Sequence, residues 1–157
     1  MKNTALLLSV CMIVLSCDSH KLYENFVPIP DDTWNRSNIL SFDVNISDTT
    51  TVYNLYLYVR NVSRYEFANL YLFVTAHSPD GNMERDTVEV TLADDNGNWL
   101  GRGAASIFTL KYPYKTLVRF PVRGIYTFDM EQAMRMPDLK HISDIGLRIE
   151  EAEILRQ

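Results

Sequence analysis

The residue with the most distinctive chemistry is a cysteine near the N-terminus. The chain opens as MKNTALLLSVCMIVLSC, in which Lys2 precedes an apolar run (5–15) that is followed by Ser16 and Cys17. The run is shorter than the roughly 20 residues that a helix needs to cross a bilayer. A charged start, a short apolar core and a small residue before the cleavage point are typical of an export signal. The sequence therefore predicts a signal peptide over residues 1–16, cut immediately before Cys17.

The segment Val14–Cys17 resembles a bacterial lipobox, in which the cysteine sulfur receives a thioether-linked diacylglycerol and becomes the new N-terminus. Acyl chains such as palmitate contribute about 0.8 kcal/mol per buried CH₂ group, so several of them hold a chain on a membrane. Cys17 is the predicted lipidation site, and a plain signal peptide with a chance cysteine is the alternative. Because cleavage also removes Cys11, the mature chain is predicted to contain no disulfide and no free thiol.

Other residue types that do chemistry are present, but their spacing does not build a site. His20, His77 and His141 lack the spacing of a metal motif, and we interpret them as solvated loop histidines. The stretch DDNGNW (94–99) offers oxygen ligands at alternate positions, but Trp99 stands where a calcium loop requires glycine, which favours a hairpin turn. We predict no catalytic residue, no metal site and no cofactor apart from the covalent lipid.

Four aromatic residues form a candidate binding face. Tyr56 and Tyr58 share one side of a predicted strand, and Tyr71 and Phe73 share one side of the next. If these two strands pair, the four rings line one face of a sheet, where they could stack on sugar rings or dock a partner protein. The alternative is that the rings are buried in the core or covered by a helix.

The elements that must position these side chains are predicted to be strands. The chain has 157 residues, which is the length of one domain. Its formal net charge is −5 and it has no basic cluster, so we expect no nucleic-acid partner. Short alternating segments with polar turns are typical of an antiparallel β-sandwich, either jelly-roll or immunoglobulin-like. One short helix is predicted over 129–136, with Asp129 as its N-cap. The predicted strands, about eight in number, cover 39–46, 50–60, 69–77, 85–93, 104–112, 116–122, 124–130 and 144–154.

The mature chain is predicted to have two parts. Residues 17–32 read as a lipidated tether, because VPIPDD contains two prolines that favour an extended path. Within this tether, Tyr23 and Phe26 are expected to dock onto the domain or onto a partner. Residues 33–157 form the predicted β-sandwich domain.

Several phrases together resemble one family. They are LYLYVRNVSRYEFANLYLFV, DTVEVTLADDNGNWLGRG, GIYTFDMEQAMRM and DIGLRIE, and they follow a lipoprotein-type signal. The most distinctive part has the order D-x-x-G-x-W-x-G-x-G, from Asp94 to Gly103. This set resembles the gliding motility lipoprotein GldH family of Bacteroidetes, over most of the mature chain.

The resemblance implies a non-enzymatic protein of the cell envelope. Proteins of this kind are accessory lipoproteins of the gliding apparatus, which is coupled to type IX secretion. The implied location is the outer membrane, with a lipid anchor, and the implied partners are other envelope proteins; the oligomeric state stays open. A glycan-binding lipoprotein that uses the tyrosine face is the alternative, and a hydrolase is a third.

Two short segments resemble sites that Bacteroidetes O-glycosylate on exported proteins. They are Asp48-Thr49-Thr50 and Asp86-Thr87-Val88, so Thr49 and Thr87 are candidate glycosylation sites. The same Asp-Thr pairs are also ordinary turn residues.

Overall fold

The protein is built from antiparallel strands, as the computed structural model shows for residues 20–153. One short 3₁₀ turn, Pro30–Asp32, is present in this part of the chain. The predicted all-β class is confirmed. The strands are β1 (Lys21–Pro28), β2 (Thr33–Asn35), β3 (Leu40–Ile46), β4 (Tyr53–Val62), β5 (Asn69–His77), β6 (Met83–Thr91), β7 (Arg102–Ala104), β8 (Ile107–Val118), β9 (Gly124–Gln132), β10 (Asp138–Lys140) and β11 (Ile142–Glu151).

The strands form two larger sheets and one small one. The first sheet has the strand order β1-β11-β4-β8-β7, and the second sheet has the order β3-β9-β5-β6. The strands β10 and β2 pair separately. Apolar side chains from both larger sheets join in a single buried cluster, which is the arrangement of a β-sandwich.

Period-2 alternation explains why these segments are strands. In β3, LSFDVNI, every apolar residue is buried and every polar residue between them is exposed. The same alternation buries Leu55, Leu57 and Val59 of β4, which face the core from the first sheet. The small sheet extends the core, because Trp34 of β2 is fully buried and its indole Nε1 donates to the carbonyl oxygen of Asn38 at 2.8 Å.

The two ends of the sandwich differ in what they carry. We call the end at which β1 begins the proximal end; it is formed by loops 47–52, 78–82 and 119–123. The opposite, distal end carries loops 63–68, 92–101 and 133–137. The strands of the two larger sheets run between these ends, except for the short β7, which lies near the distal end.

Residues 21–28 of the predicted tether are part of the sheet instead. Lys21–Pro28 pairs with β11 from Lys21↔Glu150 to Pro28↔Asp144, so the interpretation of 17–32 as a tether is wrong for this segment. Its alternation is obscured in the sequence because side chains on both faces of this edge strand are half-buried. Pro28 stands at the end of the strand, where its lack of an N–H is tolerated.

The predicted helix over 129–136 is also absent from the described residues. The strand β9 continues to Gln132, and a turn follows it. Tyr126, Phe128, Met130 and Gln132 are all buried at alternate positions, so pairing with the neighbouring strands outweighs the helix propensity of this segment. Asp129 is not an N-cap: its carboxylate accepts from Ser41 Oγ at 2.5 Å and lies 3.0 Å from His77 Nε2.

Candidate interaction surfaces

The predicted lipidation site, Cys17, lies outside the described residues. The described chain begins at His20, whose carbonyl oxygen accepts the N–H of Glu151 at 2.8 Å. Since β1 begins at the next residue, the chain is fixed to the first sheet from this point onward.

Tyr56 and Tyr58 lie on the outer face of the first sheet. On the neighbouring strand β11, Arg148 pairs with Tyr56 and Gly146 pairs with Tyr58. On its other side, Gly146 pairs with Phe26 of β1. Because Gly146 has no side chain, the Phe26 ring lies over it and reaches Tyr58, with ring centroids 5.0 Å apart and an interplanar angle of 39°. We call this surface the tyrosine–cation face; it consists of Phe26, Tyr56, Tyr58, Arg60, Lys111 and Arg148.

The cations of this face lie against its rings. Lys111 Nζ is 3.8 Å from the centroid of the Tyr56 ring, and Arg60 Cζ is 5.3 Å from that of Phe26. Both distances are within the range of cation–π attraction. Cationic side chains of the same chain therefore lie over the rings of Tyr56 and Phe26.

Carboxylates complete the network of the tyrosine–cation face. Arg60 pairs with Asp144 at 3.1 Å, and Lys111 pairs with Glu150 at 3.2 Å. Arg148 contacts Glu150 and also pairs with Glu24 of β1 at 3.1 Å. These pairs connect β1, β11, β4 and β8 across the width of the sheet.

The pKa values on this face reflect that pairing. Partial burial opposes the ionisation of Glu24 and Glu150, yet hydrogen bonds from Arg148 hold the pKa of both carboxyls below the ordinary value. Partial burial raises the pKa of Tyr56 and of Tyr58, and the nearby carboxylates add to the effect. The face therefore carries ionised acids and neutral phenols at neutral pH.

Tyr71 and Phe73 lie on a different surface. They belong to β5, which pairs with β6 and β9 in the second sheet and not with β4. The four rings therefore do not line one face, and that part of the sequence interpretation is wrong. Arg85 Cζ lies 4.5 Å from the centroid of the Phe73 ring and pairs with Glu131 at 2.9 Å, so the second sheet repeats the cation-over-ring arrangement.

A cleft that the sequence does not reveal opens between the edges of the two sheets. The strand β6 ends the second sheet, and β7 covers only Ile107–Thr109 of β8, so the rest of β8 is an edge as well. Between these edges is a cavity of about 250 Å³ whose lining includes Tyr114, Phe120, Tyr126 and Phe128. These aromatics lie close together in the sequence, around Pro121, but the cleft also needs Leu55 and Glu84 from distant strands, which the sequence does not place beside them.

Polar contacts join the two edges beside the cleft. Tyr114 Oη donates to Asp86 Oδ2 at 2.5 Å, and Lys115 Nζ lies 2.8 Å from the same carboxylate and 3.0 Å from Glu84. Burial, together with the contact to Asp86, raises the pKa of Tyr114. Partial burial opposes ionisation of Asp86, but Lys115 and Tyr114 hold the pKa of its carboxyl below the ordinary value.

The segment considered as a calcium loop is a hairpin turn, as predicted. Ala93 forms a bridge with Trp99, and the carboxylate of Asp94 accepts the N–H groups of Asn96 and Asn98 at 3.0 and 2.8 Å. Gly97 adopts a φ of 82°, which its lack of a side chain permits. Among residues 20–153, no group of His, Cys, Asp and Glu is placed to hold a metal ion.

The two candidate glycosylation sites differ in exposure. Thr49 lies half-buried in the loop at 47–52, and Thr87 is exposed on β6. In the first loop, Asp48 accepts hydrogen bonds from Thr50 and Thr51, which is turn chemistry. Both glycosylation sites stay predictions.

The comparisons with known proteins agree on one family. The model of the GldH lipoprotein family matches residues 21–149. A gliding motility lipoprotein GldH homolog of Christiangramia forsetii is 32% identical over 145 residues, covering 88% of each chain. The gliding motility lipoprotein GldH of Flavobacterium johnsoniae is 31% identical over 159 residues, covering 97% of this chain and 98% of the relative.

Two further findings bear on the architecture. A solved structure of infectious bursal disease virus, Gx strain, aligns with a TM-score of 0.31 and 13% identity over 83% of this chain and 30% of that chain, which is too distant to guide an interpretation. Within residues 20–153, no helix has the length and apolar character needed to cross a membrane. The family match and the two relatives span the same sandwich that the strands build, and the chain belongs to the GldH lipoprotein family.

Proposed function

We propose that this chain is a lipid-anchored, non-catalytic interaction module of the outer membrane that serves the gliding and type IX secretion apparatus. Cys17 is the proposed point of lipid attachment. Membership of a family whose relatives are named gliding motility lipoproteins supports the envelope location and the link to motility. Other envelope proteins are the proposed partners.

The observation that carries the proposal is the tyrosine–cation face. Tyrosine and arginine are the residue types that contribute most to protein–protein binding energy, and here they are fixed on a rigid sheet. Ion pairs with Glu24, Asp144 and Glu150 hold the cations in one arrangement before a partner arrives. A partner then meets a surface that loses little conformational entropy on binding.

Electrostatics supports a binding role over a catalytic one. A carboxyl that acts as a general acid at neutral pH needs a pKa raised towards neutrality. The carboxyls with shifted pKa in the described residues are all shifted downwards, including Glu24, Asp86 and Glu150. Glu24, Asp86 and Glu150 act as anions that bind cationic side chains within the fold.

The glycan-binding alternative is disfavoured by what covers the rings. A sugar stacks on the free face of an aromatic ring, but Lys111 lies over Tyr56 and Arg85 lies over Phe73. At these two rings a sugar would have to displace a cation that is itself held by a carboxylate. Tyr58 and the exposed Tyr71 remain for stacking, but they lie on different sheets.

The test is recovery of partner proteins from detergent-solubilised envelopes with the full-length lipidated protein. Lys111→Ala and Tyr56→Ala remove the cation and the ring of one pair on the tyrosine–cation face. Arg85→Ala and Phe73→Ala remove the equivalent pair on the second sheet and serve as matched controls. We expect partner recovery to fall for the first two variants and to stay unchanged for the controls. Equal recovery for both sets would refute docking through this face.

Two further measurements test the rest of the proposal. Mass spectrometry of the exported chain should find the sulfur of Cys17 acylated, and an unmodified sulfur would refute the anchor. Addition of soluble envelope polysaccharide should leave the tryptophan and tyrosine fluorescence unchanged. Saturable quenching that is lost in Tyr56→Ala would favour the glycan-binding alternative.

A further inference from the structure

The proximal end of the sandwich carries the most exposed apolar side chains of the described chain. Leu117, Met83 and Ile125 are 66%, 65% and 61% exposed, more than any other large apolar residue in residues 20–153. They come from three different strands and from both sheets, yet each stands near the strand end at which β1 begins. Pro79 and Pro121, in the loops of the same end, are exposed as well.

We propose that this end of the domain rests on the lipid bilayer, with Leu117 and Ile125 in contact with the lipid surface. The inference deepens the proposed function and rests on it, because it requires the anchor at Cys17. It adds an orientation and a second membrane contact that lipidation alone does not imply.

The length of chain before β1 supports this orientation. Asp18 and Ser19 are the only residues between Cys17 and His20. A fully extended chain spans about 3.3–3.6 Å per residue, so the Cα atoms of Cys17 and His20 lie at most about 11 Å apart. His20 is itself bonded to Glu151 of the sheet. An acylated Cys17 therefore keeps the proximal end, and not the distal end, next to the bilayer.

The backbone at Leu117 presents its side chain to the outside at a cost. Its φ is 56°, in the left-handed region that is unfavourable for a residue with a branched side chain. The strand pairing of β8 with β4 is irregular here, and Asn54 Oδ1 accepts the N–H of Leu117 at 3.1 Å, which holds the conformation. The strained backbone leaves this leucine facing outward, where a lipid surface would bury it.

The charges around Leu117 suit a bilayer that contains anionic lipid. Arg119 and Arg123 are exposed in the adjoining loop, and neither forms an ion pair with another described residue. Among the acidic residues of this end, Asp80 is hydrogen-bonded within its own turn and Glu84 pairs with Lys115, whereas Glu151 and Glu153, near the end of β11, are exposed. The contact is therefore centred on Leu117 and the 119–123 loop, where basic and apolar groups stand together.

The test uses a polarity-sensitive dye on the mature lipidated protein in vesicles of phosphatidylethanolamine and phosphatidylglycerol. Leu117→Cys and Ile125→Cys provide labelling sites, since the sulfur of Cys17 is blocked by lipid. Leu100→Cys is the matched control, because Leu100 is 50% exposed but lies at the distal end. We expect dye at positions 117 and 125 to shift its emission to shorter wavelength and to be quenched by brominated lipid. Dye at position 100 should report water.

A charge variant gives a second, independent readout. Replacing both Arg119 and Arg123 with Glu should reduce the emission shift at position 117, whereas Arg135→Glu, in a loop of the distal end, should leave it unchanged. Identical aqueous spectra at 117, 125 and 100 in vesicle-bound protein would overturn the membrane contact while leaving the anchor intact. Protein that does not float with the vesicles and has no lipid on Cys17 would overturn the proposed function, and this inference with it.

Discussion

The close approach of Phe26 to Gly146 allows a quantitative prediction about how β1 is held. A Cβ atom at position 146 would lie 2.8 Å from Phe26 Cδ1 and 3.1 Å from the carbonyl oxygen of Asn25. In Gly146→Ala the ring must therefore move away from Tyr58. The aromatic contact contributes about 0.5–1.5 kcal/mol, and the cation–π contact with Arg60 contributes about 0.5–1 kcal/mol.

One effect acts in the opposite direction. Replacing glycine by alanine restricts the unfolded chain and stabilises the folded state by about 0.4–1 kcal/mol where the backbone permits it. Gly146 has ordinary strand geometry, so this gain applies. The entropic gain offsets part of the lost aromatic and cation–π contacts, and strain from a ring that cannot move fully adds to the loss. We therefore expect Gly146→Ala to lower the free energy of unfolding by about 1–2 kcal/mol.

The decisive measurement is a double-mutant cycle with Phe26→Ala. Once the ring is gone, the new Cβ meets only the Asn25 carbonyl oxygen at 3.1 Å, and the same substitution should cost about 0.5–1.5 kcal/mol less than it does beside Phe26. Urea unfolding, followed by tryptophan fluorescence, gives the four free energies. An equal effect of Gly146→Ala in both backgrounds would refute the argument that the missing side chain makes room for Phe26.

Two further predictions concern single contacts. Hydrogen bonds from Thr51 and Thr50 lower the pKa of Asp48 from 3.8 to about 2. Its contribution to stability should therefore be complete above pH 3.8, the pKa of the unfolded chain, and should be lost as the pH falls from about 4 towards 2. Urea unfolding across this range should show a smaller loss of stability for Asp48→Ala than for the natural chain, and parallel curves would contradict the assignment. Tyr114→Phe removes the hydrogen bond to Asp86 and should lower the unfolding free energy by about 0.5–1.5 kcal/mol, whereas unchanged stability would show that the two sheet edges are not joined by this contact.

The strands that the sequence predicts well are those with one wet face and one dry face. In β3 apolar and polar residues alternate regularly, and in β5 buried aliphatic residues alternate with Tyr71 and Phe73. The predicted bounds 39–46 and 69–77 agree with the structure to within a residue. The segments predicted over 104–112 and 116–122 form one strand, β8, because Pro113 stands at an irregularity that the pairing with β4 tolerates.

The elements that sequence reasoning missed lack a local signal. In the sequence, Phe26 resembles an exposed aromatic residue of a tether. Its packing site is formed by Gly146, which lies more than a hundred residues later and pairs with it in the sheet. The prediction that four aromatic rings share one face was wrong for a related reason. Period-2 alternation gives the side of a strand on which Tyr56 or Tyr71 lies, but it does not give the sheet to which that strand belongs.

The position of β1 at the edge of the first sheet has a mechanical consequence. In an antiparallel pair the hydrogen bonds lie perpendicular to the strands, and β1 begins four residues after the proposed anchor at Cys17 and pairs with β11 over its length. If the rest of the sheet is held, tension on the N-terminus along the strand loads all of these hydrogen bonds in shear at the same time. They are then not broken one after another. A protein attached to moving machinery at one side and to lipid at the other would transmit force through this strand before any other part of its fold.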